Sequence, residues 1–335
     1  MKRVAWLLYG SMEERTGGTI YDRIVVEGLV ARGFEIDVVD PRQPRNARLR
    51  RLLAAQVVVG DELCFREIAD VFPRLPGRTR VLLVHHLSAW EEERREAERR
   101  RARVREAQAL RASDAIVTTS HATRARLERE GVRRPIDVVL PGADRLPRVE
   151  ATRRDRETTR FLFVGAVTAR KRVRELVRAL PRSAELRVVG SVSREPRYAE
   201  TVRAESEGRS ISWLGEIDEP ALARELSSAD ALVMPSSLEG YGIAATEALR
   251  AGVPVIAART PGLEEALAPC PNAILFAPAR TDSNGLERAL QDFSTDPALR
   301  ARMREAAAVA ALPTWAQAVE RFATRLQSAM DRPRT

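Results

Sequence analysis

The chain has two cysteines among its 335 residues, Cys64 and Cys270. They lie far apart and match no metal-finger or redox spacing, which excludes a disulfide scaffold and suits a reducing cytoplasm. Lysine is equally rare, with Lys2 and Lys171 alone. No apolar run approaches the roughly 18 residues that a membrane span needs. Met1-Lys2-Arg3 leads into a short apolar run ending at Tyr9, with no small-residue cleavage site after it. It therefore reads as a first strand rather than a signal peptide. Aromatics make up 5% of the chain and do not alternate with the arginines. A stacking platform for single-stranded nucleic acid needs that alternation, and acids interleave with the bases, as in 91–105, so nucleic acid is not an expected partner.

What is present is enough apolar material, 44%, for real cores, on a chain long enough for two domains. The formal charge is +9, and nearly all of the positive charge is arginine. Arginine and lysine differ where a compact ammonium must meet a phosphate, so Lys171 stands out before any motif is considered. A basic surface gains energy beside acidic lipids, so the composition is compatible with a cytoplasmic protein that associates peripherally with the anionic inner face of the cell membrane.

Strand, glycine-bearing turn and helix recur along the chain. Residues 4–9 are strand-like, Gly17-Gly18 follow in a loop, and 20–32 have helical spacing with Gly33 as a C-cap. Further strands are expected at 35–39, 56–59, 81–84, 115–118 and 136–140, with a long charged helix over 90–111. Residues 150–159 are polar, charged and poor in large apolar side chains, which marks a linker. The rhythm then restarts, with strands at 161–164, 186–189, 211–213, 231–234 and 253–257 and a helix over 173–180. An amphipathic helix over 314–330 carries Trp315, Ala318, Val319, Phe322 and Leu326. Alternation of this kind predicts an α/β fold of two parallel-sheet units, with ligands at the carboxyl ends of the strands and in the cleft between the units.

The most informative stretch is 231–257, ALVMPSSLEGYGIAATEALRAGVPVIA. A buried strand ends before Pro235, a loop holds Glu239-Gly240-Tyr241-Gly242, and a helix starts near Ile243. The glycines let backbone N–H groups approach an anion, and the helix dipole points at the same spot. Glu239 in the loop and Glu247 inside the helix could meet opposite ends of one ligand. On physical grounds alone this is a site for a phosphate ester.

This segment resembles the nucleotide-sugar signature of glycosyltransferase family 4: two glutamates, with Gly-aromatic-Gly after the first, then Glu-Ala-Leu and Gly-x-Pro-Val. The stretch 161–180 is similar to the first strand and turn of the family's donor domain, with Lys171 at its phosphate-binding lysine, six residues after Gly165. Two positions depart from the pattern: Ala166 stands where an arginine is usual, and Arg172 where a glycine is. Arg170 offers a compensating cation; its other reading, like that of Arg172, is a solvated helix start. Gly17-Gly18 is similar to the family's glycine-rich loop. Val84-His85-His86-Leu87 resembles the end of a central strand, which places His85 at the common cleft histidine. His86 and the pair Asp61-Glu62 are candidates for facing an acceptor, although paired acids are commonly just solvated. Leu140-Pro141-Gly142-Ala143-Asp144 and Gly262-Leu263-Glu264-Glu265 match further family segments, while His121 reads as structural.

The resemblance implies a GT-B architecture: two Rossmann-like parallel-sheet domains facing a central cleft. An acceptor-binding domain would cover 1–149, a linker 150–159, a nucleotide-sugar domain 160–312 and a returning helix 313–331. It also implies a retaining transferase that moves a sugar from a nucleotide-diphosphate sugar, of UDP or GDP type, to a glycan or lipid-linked acceptor in envelope or exopolysaccharide synthesis. No Asp-x-Asp pair occurs to carry a metal-bound diphosphate, so a metal-independent enzyme with no metal site and no cofactor is expected. Lys171, Glu239 and His85 would be catalytic. Gly17, Gly18, Gly165, Arg170, Gly240, Tyr241, Gly242, Ile243 and Glu247 would complete the donor site. A sugar-nucleotide epimerase and a nucleotide-sugar-binding module without catalysis are the alternatives, separated from a transferase by product analysis and by turnover.

Overall fold

A computed structural model of the chain describes residues 2–8, 12–149, 158–277 and 284–331. The chain divides into two compact units, Met1–Pro141 with Pro313–Thr335, and Gly142–Leu312.

The first unit runs β1 (Lys2–Leu7), α1 (Gly17–Val30), β2 (Phe34–Val39), α2 (Arg45–Ala54), β3 (Val57–Asp61), α3 (Phe65–Val71), β4 (Thr79–Val84), α4 (Glu96–Ala112), β5 (Ala115–Thr118), α5 (His121–Arg129) and β6 (Ile136–Val138). Its sheet is parallel, in the order β2-β1-β3-β4-β5-β6. Every residue of β3 and β5 is buried, which is why these strands read as continuous apolar runs: helices cover both faces. Helix α1 starts at Gly17, three residues before the apolar spacing begins, because the Thr16 hydroxyl caps it by accepting from Thr19 N at 3.2 Å. The charged helix starts only at Glu96. Residues Ser88–Trp90 form a separate turn, held by the Glu106 carboxylate, which accepts from Ser88 N at 2.7 Å.

The second unit runs β7 (Thr159–Val164), α6 (Val173–Ala179), β8 (Ala184–Val189), α7 (Pro196–Glu205), β9 (Ile211–Gly215), α8 (Glu219–Ser228), β10 (Ala231–Met234), α9 (Ile243–Arg250), β11 (Val255–Ala258), α10 (Pro261–Leu267), β12 (Ile274–Phe276), α11 (Gly285–Thr295) and α12 (Pro297–Ala308). Its sheet is also parallel, in the order β12-β11-β10-β7-β8-β9. Thr159, the last residue of the expected linker, opens β7; 150–157 lie outside the described residues. Residues 142–149, placed by sequence with the first domain, cluster with the second unit.

Helix α13 (Trp315–Met330) belongs to the first unit. It buries Trp315, Ala318, Val319, Phe322 and Leu326, and each large apolar side chain removed from water is worth about 1.5–3 kcal/mol. Phe322 lies against Trp6 with ring centroids 5.2 Å apart. The seat is on α1 at Gly28, where a Cβ would come within 2.5 Å of Val319 Cγ2, so only glycine admits so close an approach.

Two Rossmann-like parallel-sheet units are thus the architecture that the sequence predicts. In each sheet the strand order reverses at one place, between β1 and β3 in the first and between β7 and β10 in the second. Beyond the carboxyl ends of strands at such reversals is where open α/β sheets bind ligands.

Candidate functional site

In the second unit, the loop after β10 leads through Glu239 into α9. Gly242, the residue before the helix, has φ +113° and ψ 58°, and a Cβ there would lie 2.8 Å from Leu263 Cδ2. Both facts require glycine. No side chain caps α9, so its first-turn N–H groups and the positive end of its dipole are available to an anion. The loop rests on the first turn of α10, where a Cβ at Gly262 would stand 2.3 Å from the Glu239 carbonyl oxygen. Tyr241 is buried, and burial followed by the charge of Glu265 pushes its phenol well above the ordinary range.

The turn after β7 meets this loop. Ser237 N donates to the Arg170 carbonyl at 2.9 Å, and the Arg170 guanidinium donates to the Leu238 carbonyl at 2.5 Å. The Lys171 ammonium donates to the Glu239 carboxylate, and Arg170 Nη1 stands 3.8 Å from the other Glu239 oxygen. The stem of Lys171 passes Gly165, whose missing Cβ would lie 3.5 Å from Lys171 Cε. Burial works against the Glu239 carboxylate, but Lys171 and then Arg170 outweigh it and bring its pKa down to about 2. Burial also lowers the Lys171 ammonium, and Glu239 offsets only part of that. Gly165, Arg170, Lys171, Glu239, Gly240, Tyr241, Gly242 and Ile243 therefore assemble around the β7–β10 reversal.

Glu247 sits farther into α9, with its side chain only 3% exposed, and bonds Arg145, whose Nε donates to it at 2.8 Å. Arg145 also reaches Glu219 at 3.0 Å. Burial pushes Glu247 up to about 7 despite Arg145. Sequence reasoning did not find Arg145, although it directly follows the Pro141-Gly142-Ala143-Asp144 segment, which reads as a simple turn.

In the first unit, Gly17-Gly18 open α1, and a Cβ on Gly18 would stand 3.4 Å from His85 Nε2. The His85 ring meets the edge of Tyr21, with centroids 5.3 Å apart, and its Nε2 lies 3.2 Å from Asp61 Oδ2. Asp61 and Glu62 are not solvated acids: they are 0% and 3% exposed. Asp61 Oδ1 accepts from Leu63 N at 2.7 Å, and Glu62 accepts from the His85 backbone N at 2.5 Å. His86 lies 2.8 Å from Glu91. Asp22 of α1, which sequence reasoning missed, is fully buried and accepts from Trp6 Nε1 at 3.1 Å. Burial, then the charge of Asp61, raises Asp22 well above the carboxylate range. Asp61 is lowered because the adjoining His85 and its hydrogen bonds outweigh its burial. Asp22, Asp61 and His85 bring three ligand-type atoms within 4.8 Å of one another.

Residues 147–309 match the family model for glycosyl transferases group 1. The match takes in just under half of the chain, and over that stretch the second unit is similar to glycosyl transferases group 1. It is 31% identical over 179 residues to a glycogen synthase of Mycobacterium tuberculosis, a match covering 51% of the chain and 43% of that protein. It is 31% identical over 176 residues to a GDP-mannose-dependent monoacylated alpha-(1-6)-phosphatidylinositol monomannoside mannosyltransferase of Corynebacterium glutamicum, covering 48% and 44%. The matched stretch thus spans less than half the length of these relatives. In fold, the chain is similar to a sucrose-phosphate synthase from Thermosynechococcus elongatus, with TM-score 0.78 and 21% identity over 98% of this chain and 99% of that one.

Against the family pattern, the departure at Arg172 has a backbone consequence. Its φ of +51° is the left-handed conformation, and among the described residues it is the only non-glycine with positive φ. The turn thus imposes on an arginine a backbone conformation that ordinarily favours glycine.

Proposed function

We propose that the chain is a retaining glycosyltransferase that takes a sugar from a nucleotide-diphosphate donor without a metal at the diphosphate. The observation that carries this reading is the Lys171–Glu239 pair beside the uncapped start of α9, at the strand-order reversal of the second unit. The diphosphate lies on the first-turn N–H groups near Gly242 and Ile243, flanked by Gly165, Gly240 and Tyr241. Lys171, with Arg170 behind it, neutralises the charge that develops as the C1–O bond to the diphosphate breaks. A preorganised cation aimed at a developing anion is often the largest single contribution to catalysis. Glu239 holds the transferred sugar and Glu247, set by Arg145, the ribose.

The family resemblance implies front-face displacement rather than a double displacement through an enzymic nucleophile. The acceptor hydroxyl attacks C1 on the face the diphosphate leaves, and its proton passes to a departing phosphate oxygen. Gly17, Gly18 and His85 contact the donor sugar or acceptor from the first unit, with His86, Asp61 and Glu62 shaping the acceptor side. A glycan or lipid-linked acceptor in envelope or exopolysaccharide synthesis is in keeping with the names of the relatives. Among the described residues no helix is long and apolar enough to cross a membrane; a cytoplasmic enzyme resting peripherally on the anionic inner face is the corresponding location.

A thermal-shift screen against UDP, GDP, ADP and TDP, with and without chelator, tests the donor site through ligand-linked stabilisation. One nucleotide should raise the melting temperature by an increment that chelator leaves unchanged. Failure of all four, or turnover unaltered in Lys171→Ala, would sink the assignment.

A further inference from the structure

The first unit holds a buried cluster whose chemistry goes beyond the acceptor-side contacts assigned to His85 and Asp61 above. Beneath Gly17-Gly18, two fully buried carboxylates and a histidine converge from the start of α1 and the ends of β3 and β4. One oxygen of each carboxylate is already fixed: Asp22 Oδ1 by the indole N–H of Trp6 at 3.1 Å, and Asp61 Oδ1 by the backbone N–H of Leu63 at 2.7 Å. Asp22 Oδ2, Asp61 Oδ2 and His85 Nε2 are buried and have no hydrogen-bond partner outside the cluster. Within it, Asp61 Oδ2 and His85 Nε2 face one another at 3.2 Å. Among the described residues neither carboxylate is paired with an arginine or lysine, although the chain carries 56 such cations in all. Glu62, buried beside them, adds a third acid.

We propose that Asp22, Asp61 and His85 bind a divalent transition-metal ion. Burying carboxylates without compensation costs several kcal/mol each, and a dication neutralises both at once. The spacing suits it: Asp61 Oδ2 and His85 Nε2 are 3.2 Å apart, close to the roughly 3.3 Å between two ligand atoms that share a tetrahedral ion at about 2.0–2.1 Å. Two carboxylate oxygens with one imidazole suit zinc or a neighbouring first-row ion better than calcium or magnesium, which require more oxygens. The bonds from Trp6 and Leu63 are the outer contacts that orient metal-binding carboxylates. Gly18 packs over the His85 ring, where a Cβ would stand 3.4 Å from Nε2, and this close cover keeps the site out of solvent. The sequence-based expectation is of a metal-independent enzyme with no metal-binding residues, and the proposed ion departs from it in the first unit.

The full chain is purified from zinc-supplemented medium, and its metal content is measured by plasma mass spectrometry after dialysis. Chelator-stripped protein is then titrated with cobalt(II) as a spectroscopic surrogate and with zinc in a thermal-shift assay. The expected result is about one equivalent of metal per chain, visible d–d absorption saturating at one equivalent of cobalt, and a raised melting temperature. Asp61→Asn and Asp22→Asn should each lose at least tenfold in bound metal, while His121→Ala and His86→Ala retain it. Wild-type protein with under a tenth of an equivalent and no response to cobalt or zinc overturns the proposal. So does metal retained at the wild-type level in both aspartate variants. If an aspartate variant does not fold, the wild-type cobalt titration and the histidine controls decide. None of these measurements uses a nucleotide or an acceptor, so they stand or fall apart from the transferase reading.

Discussion

Replacing Lys171 by methionine removes the ammonium that holds Glu239 ionised in a nearly closed site. The side chains of Lys171 and Glu239 are only 14% and 9% exposed, so solvent screening takes little from their interaction. Glu239 falls from the ordinary 4.5 to about 2, a change worth roughly 3 kcal/mol of stability. Because the folded pKa is depressed, that stability is complete above pH 4.5 and is lost as the pH falls toward 2. The burial that lowers Lys171 subtracts from the net value of the pair. Lys171→Met should therefore destabilise by about 1–3 kcal/mol at pH 7, less than the full interaction. The interaction itself is isolated by a double-mutant cycle with Glu239→Gln, measured by urea unfolding with Trp213 reporting from the second unit. We expect a coupling of about 2–3 kcal/mol at pH 7, falling to about half at pH 3. A coupling below about 0.5 kcal/mol at pH 7, or one unchanged at pH 3, would refute the electrostatic account of this site.

Gly262→Ala should cost about 2 kcal/mol or more, because its Cβ would meet the Glu239 carbonyl at 2.3 Å; nucleotide-induced stabilisation should vanish with it, and a normal thermal shift would contradict the assigned loop. Arg172→Gly should raise stability by about 0.5–1 kcal/mol, since it relieves a left-handed arginine and loses part of that gain to unfolded-chain entropy; a lower melting temperature would count against it. Glu247 is raised to about 7, so the native state keeps a proton that the unfolded chain has released, and stability should fall by roughly 3 kcal/mol as the pH rises from 4.5 through 7. Glu247→Gln should flatten that limb in unfolding measured at pH 5 and pH 8; an unchanged slope would mean that Arg145 keeps the carboxylate ionised throughout.

The alternation of short apolar runs with glycine turns made the parallel sheets legible, because a strand covered on both faces has to be apolar throughout. Elements without such a run were lost. Helix α2 carries Arg45, Arg48, Arg50 and Arg51 and buries only Leu52, so its period is invisible in composition. Strand β12 has three residues, all half-buried. In the site, Gly242 could be read because its backbone demands glycine, and Glu239 and Gly240 because they belong to a motif that resembles a known signature. Arg145 and Asp22 could not. Each acts on a partner far away in sequence, Glu247 and Asp61, and nothing local distinguishes either from an ordinary surface charge. Asp61-Glu62 shows the same limit from the other side: two adjacent acids look solvated until the chain closes over them.

The two strand-order reversals show how one architecture yields two chemically different sites. At the β7–β10 reversal, the acid Glu239 is matched by Lys171 and Arg170, and a helix start adds positive potential that no side chain cancels. That corner is complete as protein alone and is biased toward an anion. At the β1–β3 reversal, Asp22, Asp61 and Glu62 gather with only His85 to face them, and the Gly17-Gly18 start of α1 is occupied by the Thr16 cap. This corner gathers three buried acids, and among the described residues no arginine or lysine pairs with Asp22 or Asp61. Each candidate site lies at a strand-order reversal, and the charged groups gathered there underlie the two proposals: a diphosphate at the first corner and a cation at the second.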